Sequence, residues 1–249
     1  MFSRLCSGLI LAALLLPTGL TQAAPWQAGG SQWRPFSYDD SEGVPRGISI
    51  DIVKHVFELA NIDAHFVSYP VNRLQAMLNK GELDLSYADS VQWNKPEELR
   101  RFVFSEPYMH VREHLYFLRE HPAARLPMDK LEGLTVGTVR GYTYRSMDPA
   151  FADRRLIRLD TSEDPALLKL LLARRVDAVA MVDELMDYLV AQQQLDPTLI
   201  ERGARLSNAP ISLKLQPQHA PSLPAINRAI RTLISNGEVA RVRERYLKP

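Results

Sequence analysis

The glycine loop Val139-Arg140-Gly141-Tyr142-Thr143-Tyr144 is the segment of this sequence best suited to holding a small molecule. Gly141 lets backbone approach a ligand closely. Thr143 offers a hydroxyl and an N–H at a strand-to-helix turn, where anions are favoured, and Tyr142 and Tyr144 can wall an organic group. The same residues can instead build a tight, packed turn. Asp89 and Asp183 each end a buried strand-like run. Asp183 can accept a ligand ammonium or cap the helix that starts at Glu184, and Asp89 is its counterpart in the first half. Asp177, at the beginning of its strand, reads as structural. Trp33, Phe36, Tyr38 and Trp93 can stack on a flat or apolar ligand, or simply pack. Arg73 opens a helix where the dipole disfavours a cation, so it is available to a ligand carboxylate or to Asp84. Arg100 and Arg101 read as a solvated pair, one of which can reach a cleft.

Other chemistries find little support. His110 and His114 share a strand face, with Glu113 between them pointing away, but no third metal ligand is evident nearby. The sequence contains no G-x-S-x-G, HExxH or P-loop pattern, so neither a metal nor a cofactor is expected.

The elements that position these residues form two similar halves. GISIDIVKHVFELANI places Ile52, Val53, Val56, Phe57 and Ala60 at helical spacing, with Ser49 or Asp51 available as its cap. AHFVSYP reads as a strand, RLQAMLNKG as a helix closed by Gly81, and LDLSYAD as a buried strand, which implies parallel pairing. SVQWNKPEELRR reads as polar turn before an alternating strand from Phe102. MHVREHLYFLRE continues as strand, a route out of the first half, and Pro122 and Pro127 flank a linker. The pattern then restarts: LEGLTVGTV and RLIRLD as strands, SEDPALLKLLLARR as a helix with Pro165 in its first turn, then VDAVAMVDELMDYLVAQQQ as strand and helix. ISLKLQP reads as a strand, and PAINRAIRTLISNGEVARVRERYL as one or two amphipathic helices returning to the first half. NKGELDLSYAD and LARRVDAVAMVD share one plan, a helix end followed by a strand begun by apolar-Asp-apolar. In open α/β sheets, ligands collect beyond the carboxyl ends of the strands, which is where Asp89, the Gly141 loop and Asp183 fall.

Met1 to Ala23 reads as a cleaved export signal. Arg4 supplies the positive region, Leu9 to Leu16 a short apolar core, and Thr21-Gln22-Ala23 the small-residue site. Removal of 23 residues from 249 leaves 226, enough for a sizeable core. Cys6 is the single cysteine and lies inside the signal, so disulfide and thiolate chemistry are excluded from the exported chain. Lys plus Arg number 30 against 29 Asp plus Glu, and this balance argues against nucleic acid as a partner.

The ordered landmarks WRPFSY, GISIDIV, NRLQAMLNKGELDLSYAD, RFVFSEPY, LEGLTVGTVRGYTY, LLKLLLARRVDAV and SNGEVARVRERYL resemble the family-3 extracellular solute-binding proteins, the polar amino-acid-binding type of ABC-transport receptors. The resemblance covers nearly all of the exported chain. It implies an α/β, two-lobed periplasmic-binding-protein fold, type II-like, that closes on its ligand by hinge motion. Lobe 1 would comprise 24–115 plus 216–249, and lobe 2 116–215. The implied partners are a small polar ligand and an ABC-transporter membrane component, for a monomeric, non-enzymatic protein of the periplasm. In amino-acid-binding members an arginine ahead of the FxFSxPY-like strand clamps the ligand α-carboxylate; here Glu98 stands in that place, and an acid there repels a carboxylate. Thr143 retains the expected second-lobe hydroxyl, and Asp183 approximates the acid that receives the amine. Two alternatives on the same scaffold are a soluble sensor for a membrane receptor and a cyclohexadienyl dehydratase-like enzyme, whose general acid would come from Glu98, Asp89 or Asp183.

Overall fold

A computed structural model describes residues 24–247, so the export signal read over 1–23 lies outside the described residues. The first half runs β1 (Trp26–Gly30), β2 (Tyr38–Asp39), β3 (Pro45–Arg46), α1 (Ile48–Ala60), β4 (Ala64–Ser68), α2 (Val71–Lys80), β5 (Leu85–Asp89), α3 (Pro96–Arg101) and β6 (Val103–Phe104). The strand β7 (Met109–Leu118) crosses to the second half, which runs β8 (Leu134–Val139), α4 (Asp148–Ala152), β9 (Leu156–Thr161), α5 (Asp164–Leu172), β10 (Ala178–Val182) and α6 (Asp183–Gln192). The long β11 (Ile200–Leu215) returns, and α7 (Leu223–Ser235) and α8 (Glu238–Leu247) end the described chain.

The two halves share one strand order. In the first, β1 lies between β4 and β5 and is parallel to both. In the second, β8 lies between β9 and β10, again parallel to both. Each third strand then meets an antiparallel crossing strand, β5 against β11 and β10 against β7. The strand order is β4-β1-β5-β11-β7-β10-β8-β9. The crossing strands pair with each other, and β11 changes partner between adjacent residues: Ile211 faces Met109 of β7, whereas Ser212 faces Asp89 of β5.

The matching apolar-Asp-apolar segments do the same work in both halves. Asp84 accepts a hydrogen bond from the Gln27 backbone N–H at 2.7 Å, and Asp177 accepts one from the Thr135 N–H, also at 2.7 Å. Each aspartate therefore ties the third strand of its half to the beginning of the first. The preceding helices end alike, in a left-handed residue at Gly81 or Arg174 whose N–H returns to a helix carbonyl. Arg73 does not pair with Asp84; its guanidinium stacks on the Tyr69 ring, while Asp84 also binds His219 Nε2 at 2.7 Å.

The helix α1 buries Ile48, Ile50, Ile52, Val53, Val56 and Phe57, and the amphipathic α7 and α8 return to pack on it. Neither Ser49 nor Asp51 caps α1. Gly47 precedes it at φ 127°, where a Cβ would meet the Phe36 carbonyl oxygen at 2.3 Å, so only glycine fits this approach. Ser49 is buried within the helix, and Asp51 accepts from the Tyr246 hydroxyl of α8 at 2.8 Å. Two further elements differ from the sequence reading. Pro96–Arg101 is a helix, with Glu97 and Glu98 in its first turn and Arg100 and Arg101 in its last, a charge order that suits the helix dipole. The last long strand begins at Ile200 rather than at Ile211; its first part is half-exposed and lacks the clean alternation that marks a strand in sequence.

Asp177→Ala leaves the Thr135 N–H without its acceptor and is expected to cost about 1 kcal/mol. Asp84→Ala also strands His219 and is expected to cost more. Urea denaturation with unchanged m-values checks both, and wild-type stability in either variant would contradict this role.

Candidate functional site

A cleft of about 670 Å³ opens between the two halves, a volume suited to a small organic molecule. It lies where the carboxyl ends of the parallel strands of both halves meet. From the first half come Ser31 after β1, Ser86, Ala88 and Asp89 of β5, the aromatic rings of Trp33 and Trp93, and Asn94, Glu97 and Glu98 at the start of α3. From the second-half side come Glu113 of the crossing strand β7, which pairs with Val182 of β10, the Gly141–Tyr144 loop after β8, Asp164 opening α5, and Ala180 to Val182 of β10.

Of the residues singled out in sequence, Trp33, Asp89, Trp93, Glu98, Arg101, Gly141, Tyr142, Thr143 and Tyr144 line this cleft. Phe36 lies behind Trp33, fully buried and stacked on it at 4.2 Å between ring centroids. Tyr38 lies in β2 beneath the Arg34 guanidinium at 3.9 Å. Arg73 and Arg140 are exposed and are not on the cleft wall. Asp183 is the first residue of α6 and is buried away from the wall. Its Oδ1 lies 2.6 Å from His114 Nδ1, accepts from the Tyr116 hydroxyl at 2.8 Å and lies 3.8 Å from Arg202, while Arg112 is 3.5 Å from Oδ2. This side of β7 is opposite to the one carrying Glu113, as the period of two requires. Among the described residues no group of three His, Cys, Asp or Glu is arranged to hold a metal ion.

Sequence reasoning missed the group at the floor of the first-lobe wall. Lys214 of β11 is fully buried and donates to Asn94 Oδ1; its ammonium lies 3.6 Å from Asp89 and 3.4 Å from Glu98. Asp89 Oδ1 in turn accepts from the Ser90 N–H at 2.6 Å and from Asn94 Nδ2 at 2.7 Å. Burial raises the Asp89 pKa above the usual carboxylate value, while Lys214 and Asn94 act to lower it. The charge order around Glu98 is thus internally closed: the acid that stands in the clamp place faces a lysine of the chain itself. A lysine within the apolar run Ile-Ser-Leu-Lys-Leu was the available signal for this network.

The second-lobe wall carries two acids of another kind. Asp164 is 6% exposed, and its side-chain partner is the Tyr142 hydroxyl at 3.2 Å. Burial pushes its carboxyl up to about 7, the tyrosine bond acting in the other direction. Glu113 accepts from the Ser207 hydroxyl and is likewise raised by burial. The Trp93 indole N–H lies near enough to lower the Glu113 pKa but closes no hydrogen bond. Among the described residues, neither Asp164 nor Glu113 has a cationic side chain at ion-pair distance.

The halves touch at the cleft mouth. Gly141 has φ +90°, and a Cβ on it would meet Asn72 Oδ1 of α2 at 2.4 Å. Arg145 donates to the Asn94 carbonyl across the same gap. The φ of +90° is what favours glycine at this contact, because residues with a Cβ rarely adopt it.

The family model of bacterial extracellular solute-binding proteins, family 3, matches residues 28–249. Among solved structures, the chain is similar to a histidine kinase sensor domain with similarity to periplasmic binding proteins, at 19% identity and TM-score 0.77, covering 90% of this chain and 96% of that one. It is similar to an ancestral arginine-binding protein bound to arginine, at 18% identity and TM-score 0.76, covering 89% and 97%. It is also similar to an ancestral amino acid-binding protein, a precursor of cyclohexadienyl dehydratase, at 16% identity and TM-score 0.72, covering 90% and 95%. At these identities the likeness establishes the fold, which is the two-lobed periplasmic-binding arrangement. Curated proteins yield no match.

Two substitutions probe the buried charges. Lys214→Met leaves Asp89 and Glu98 without their cation and is expected to cost about 3–5 kcal/mol in chemical denaturation. Asp164 has its folded pKa raised above the unfolded value, so its contribution to stability is present at low pH and is lost as pH rises toward 7. Asp164→Asn is therefore expected to raise the thermal midpoint at pH 8 and to change it little near pH 4; the reverse order would refute the assignment.

Proposed function

We infer that this chain, which belongs to the bacterial extracellular solute-binding proteins of family 3, captures a small polar solute in the cleft between its lobes and holds it without turnover. The observation that carries this reading is the meeting of both lobes at one cleft, with strand ends, aromatic rings and buried acids on its walls and direct contact at its mouth. A gap bridged by the crossing strands β7 and β11 can open and close by small changes in their backbone. Closure takes the solute out of water, which strengthens each polar contact it makes.

On this reading Trp33 and Trp93 form the aromatic wall of the first lobe. Asp89 stands on the same first-lobe wall, and Tyr142 and Thr143 meet the solute from the second lobe. The protein works in the periplasm as a monomer and delivers its solute to the membrane component of an ABC transporter. A second reading, a ligand sensor for a membrane receptor, is favoured by the likeness to the histidine kinase sensor domain. Pull-down of membrane partners with and without solute separates the two.

Native mass spectrometry of protein purified without refolding is expected to find a retained small molecule. Thermal-shift screening over amino acids, amines and small carboxylates is then expected to raise the midpoint with saturation, because a ligand confined to the folded state stabilises by mass action. Thr143→Ala is expected to weaken the best ligand by about 1 kcal/mol. Gly141→Val sets a branched side chain at φ +90° against Asn72, so it is expected to reduce the solute-induced compaction seen by small-angle scattering. A chain that retains nothing and shifts with no solute is not a receptor.

A further inference from the structure

The buried cation of this cleft and the backbone sites that favour anions are already engaged by the chain itself. The Lys214 ammonium is shared among Asn94, Asp89 and Glu98. The Ser90 backbone N–H, at the end of β5, is taken by the Asp89 carboxylate. The N-terminus of α5 carries the Asp164 carboxyl in its first turn. Arg101 is engaged by Asn79 and Arg145 by the Asn94 carbonyl. Lys95 lines the cleft too, but it is exposed, and a solvated ammonium holds an anion weakly.

The acceptors show the opposite condition. Asp164 and Glu113 reach the cleft with neutral partners, chiefly the Tyr142 and Ser207 hydroxyls. The charged groups around Asp164 compound this: Glu113 of β7 and the adjacent Glu163 are both acids, and Tyr144 lies in the same field. The nearby Arg158 is paired with Asp160 at 2.8 Å. Buried carboxyls without a cation are costly to ionise, and a bound cation would remove that cost. The rings of Trp33 and Trp93, 5.9 Å apart and nearly perpendicular, and the ring of Tyr142 line the same space. Aromatic faces attract cations.

We propose that the solute is an organic cation without a carboxylate, a protonated amine, guanidine or quaternary ammonium, whose charged centre lies among the Trp33, Trp93 and Tyr142 rings and faces Asp164 and Glu113. This rests on the inter-lobe cleft being the ligand site. A free α-carboxylate would meet Glu98, Asp89 and the acids opposite, with the buried Lys214 ammonium already engaged and neutral donors such as the Trp93 indole N–H left to it. The cation restores the charge balance that the chain leaves unmet on the second-lobe wall.

Calorimetric titration with matched pairs tests this, each pair differing by one carboxylate: agmatine against L-arginine, cadaverine against L-lysine, phenethylamine against L-phenylalanine. The amine member is expected to bind about tenfold more tightly or better. Asp164→Asn and Glu113→Gln are each expected to weaken it by about tenfold to a hundredfold. In buffers of different ionisation heat at pH 7, amine binding to the wild type is expected to release protons, and Asp164→Asn to reduce that release. This readout would not move if Asp164 were merely structural. Tighter binding of the amino acids, or binding of no amine, overturns the proposal. If amino acids or other solutes still bind in that case, the receptor function stands and only the ligand class falls; if nothing binds at all, both fall.

Discussion

A strand cannot belong to two sheets unless something holds the two in register, and in this protein that strand is β11. Up to Ile211 it pairs with β7, and from Ser212 it pairs with β5 and β6. The handover lies directly behind the cleft, and Lys214, which gathers Asp89, Asn94 and Glu98, sits just past it. The floor of the first-lobe wall is therefore built on the segment that joins the lobes. A displacement of β11 would move the lysine and, through it, three residues that reach the cleft.

The two lobes solve their electrostatics differently. The first closes its charges on itself, burying a lysine among two acids and an amide. Such a network contributes little net stability, because the desolvation of its charges offsets their attraction, but losing one member is costly. The second lobe leaves Asp164 and Glu113 with hydroxyl partners and lets burial raise their pKa values. A carboxyl held in that state favours its neutral form until a cation arrives. The asymmetry leaves one wall with its charges paired within the chain and the other with acids that have no cation at ion-pair distance.

The halves repeat one supersecondary plan, yet their conspicuous acids have separate fates. Asp84 and Asp177 match in position and in role, each accepting from the first strand of its half. Asp89 and Asp183 look equally matched in sequence, at the ends of the corresponding third strands. Asp89 reaches the cleft, whereas Asp183 turns to the opposite face and binds His114 and Tyr116. The second lobe draws its cleft acid from Asp164 instead, at the start of the preceding helix. Its sequence context, Asp-Pro at a helix start, marks a helix terminus and nothing more.

Periodicity and turn residues in the amino-acid sequence determined most of the elements, their alternation, and the two-lobed arrangement that their ordered landmarks resemble. These properties depend on neighbours a few positions apart, which a linear reading can see. The aromatic-glycine loop and Asp89 could be placed at a cleft for the same reason, since strand ends and glycine turns are local features, whereas Trp33 and Trp93 read equally well as ordinary packing and reach the cleft only in the fold. Lys214 against Glu98, the orientation of Asp183, the approach of Gly141 to Asn72 and the unmatched acids of the second wall were decided by tertiary structure alone. Each depends on contacts between residues far apart in the chain, and those contacts exist only after the chain has folded.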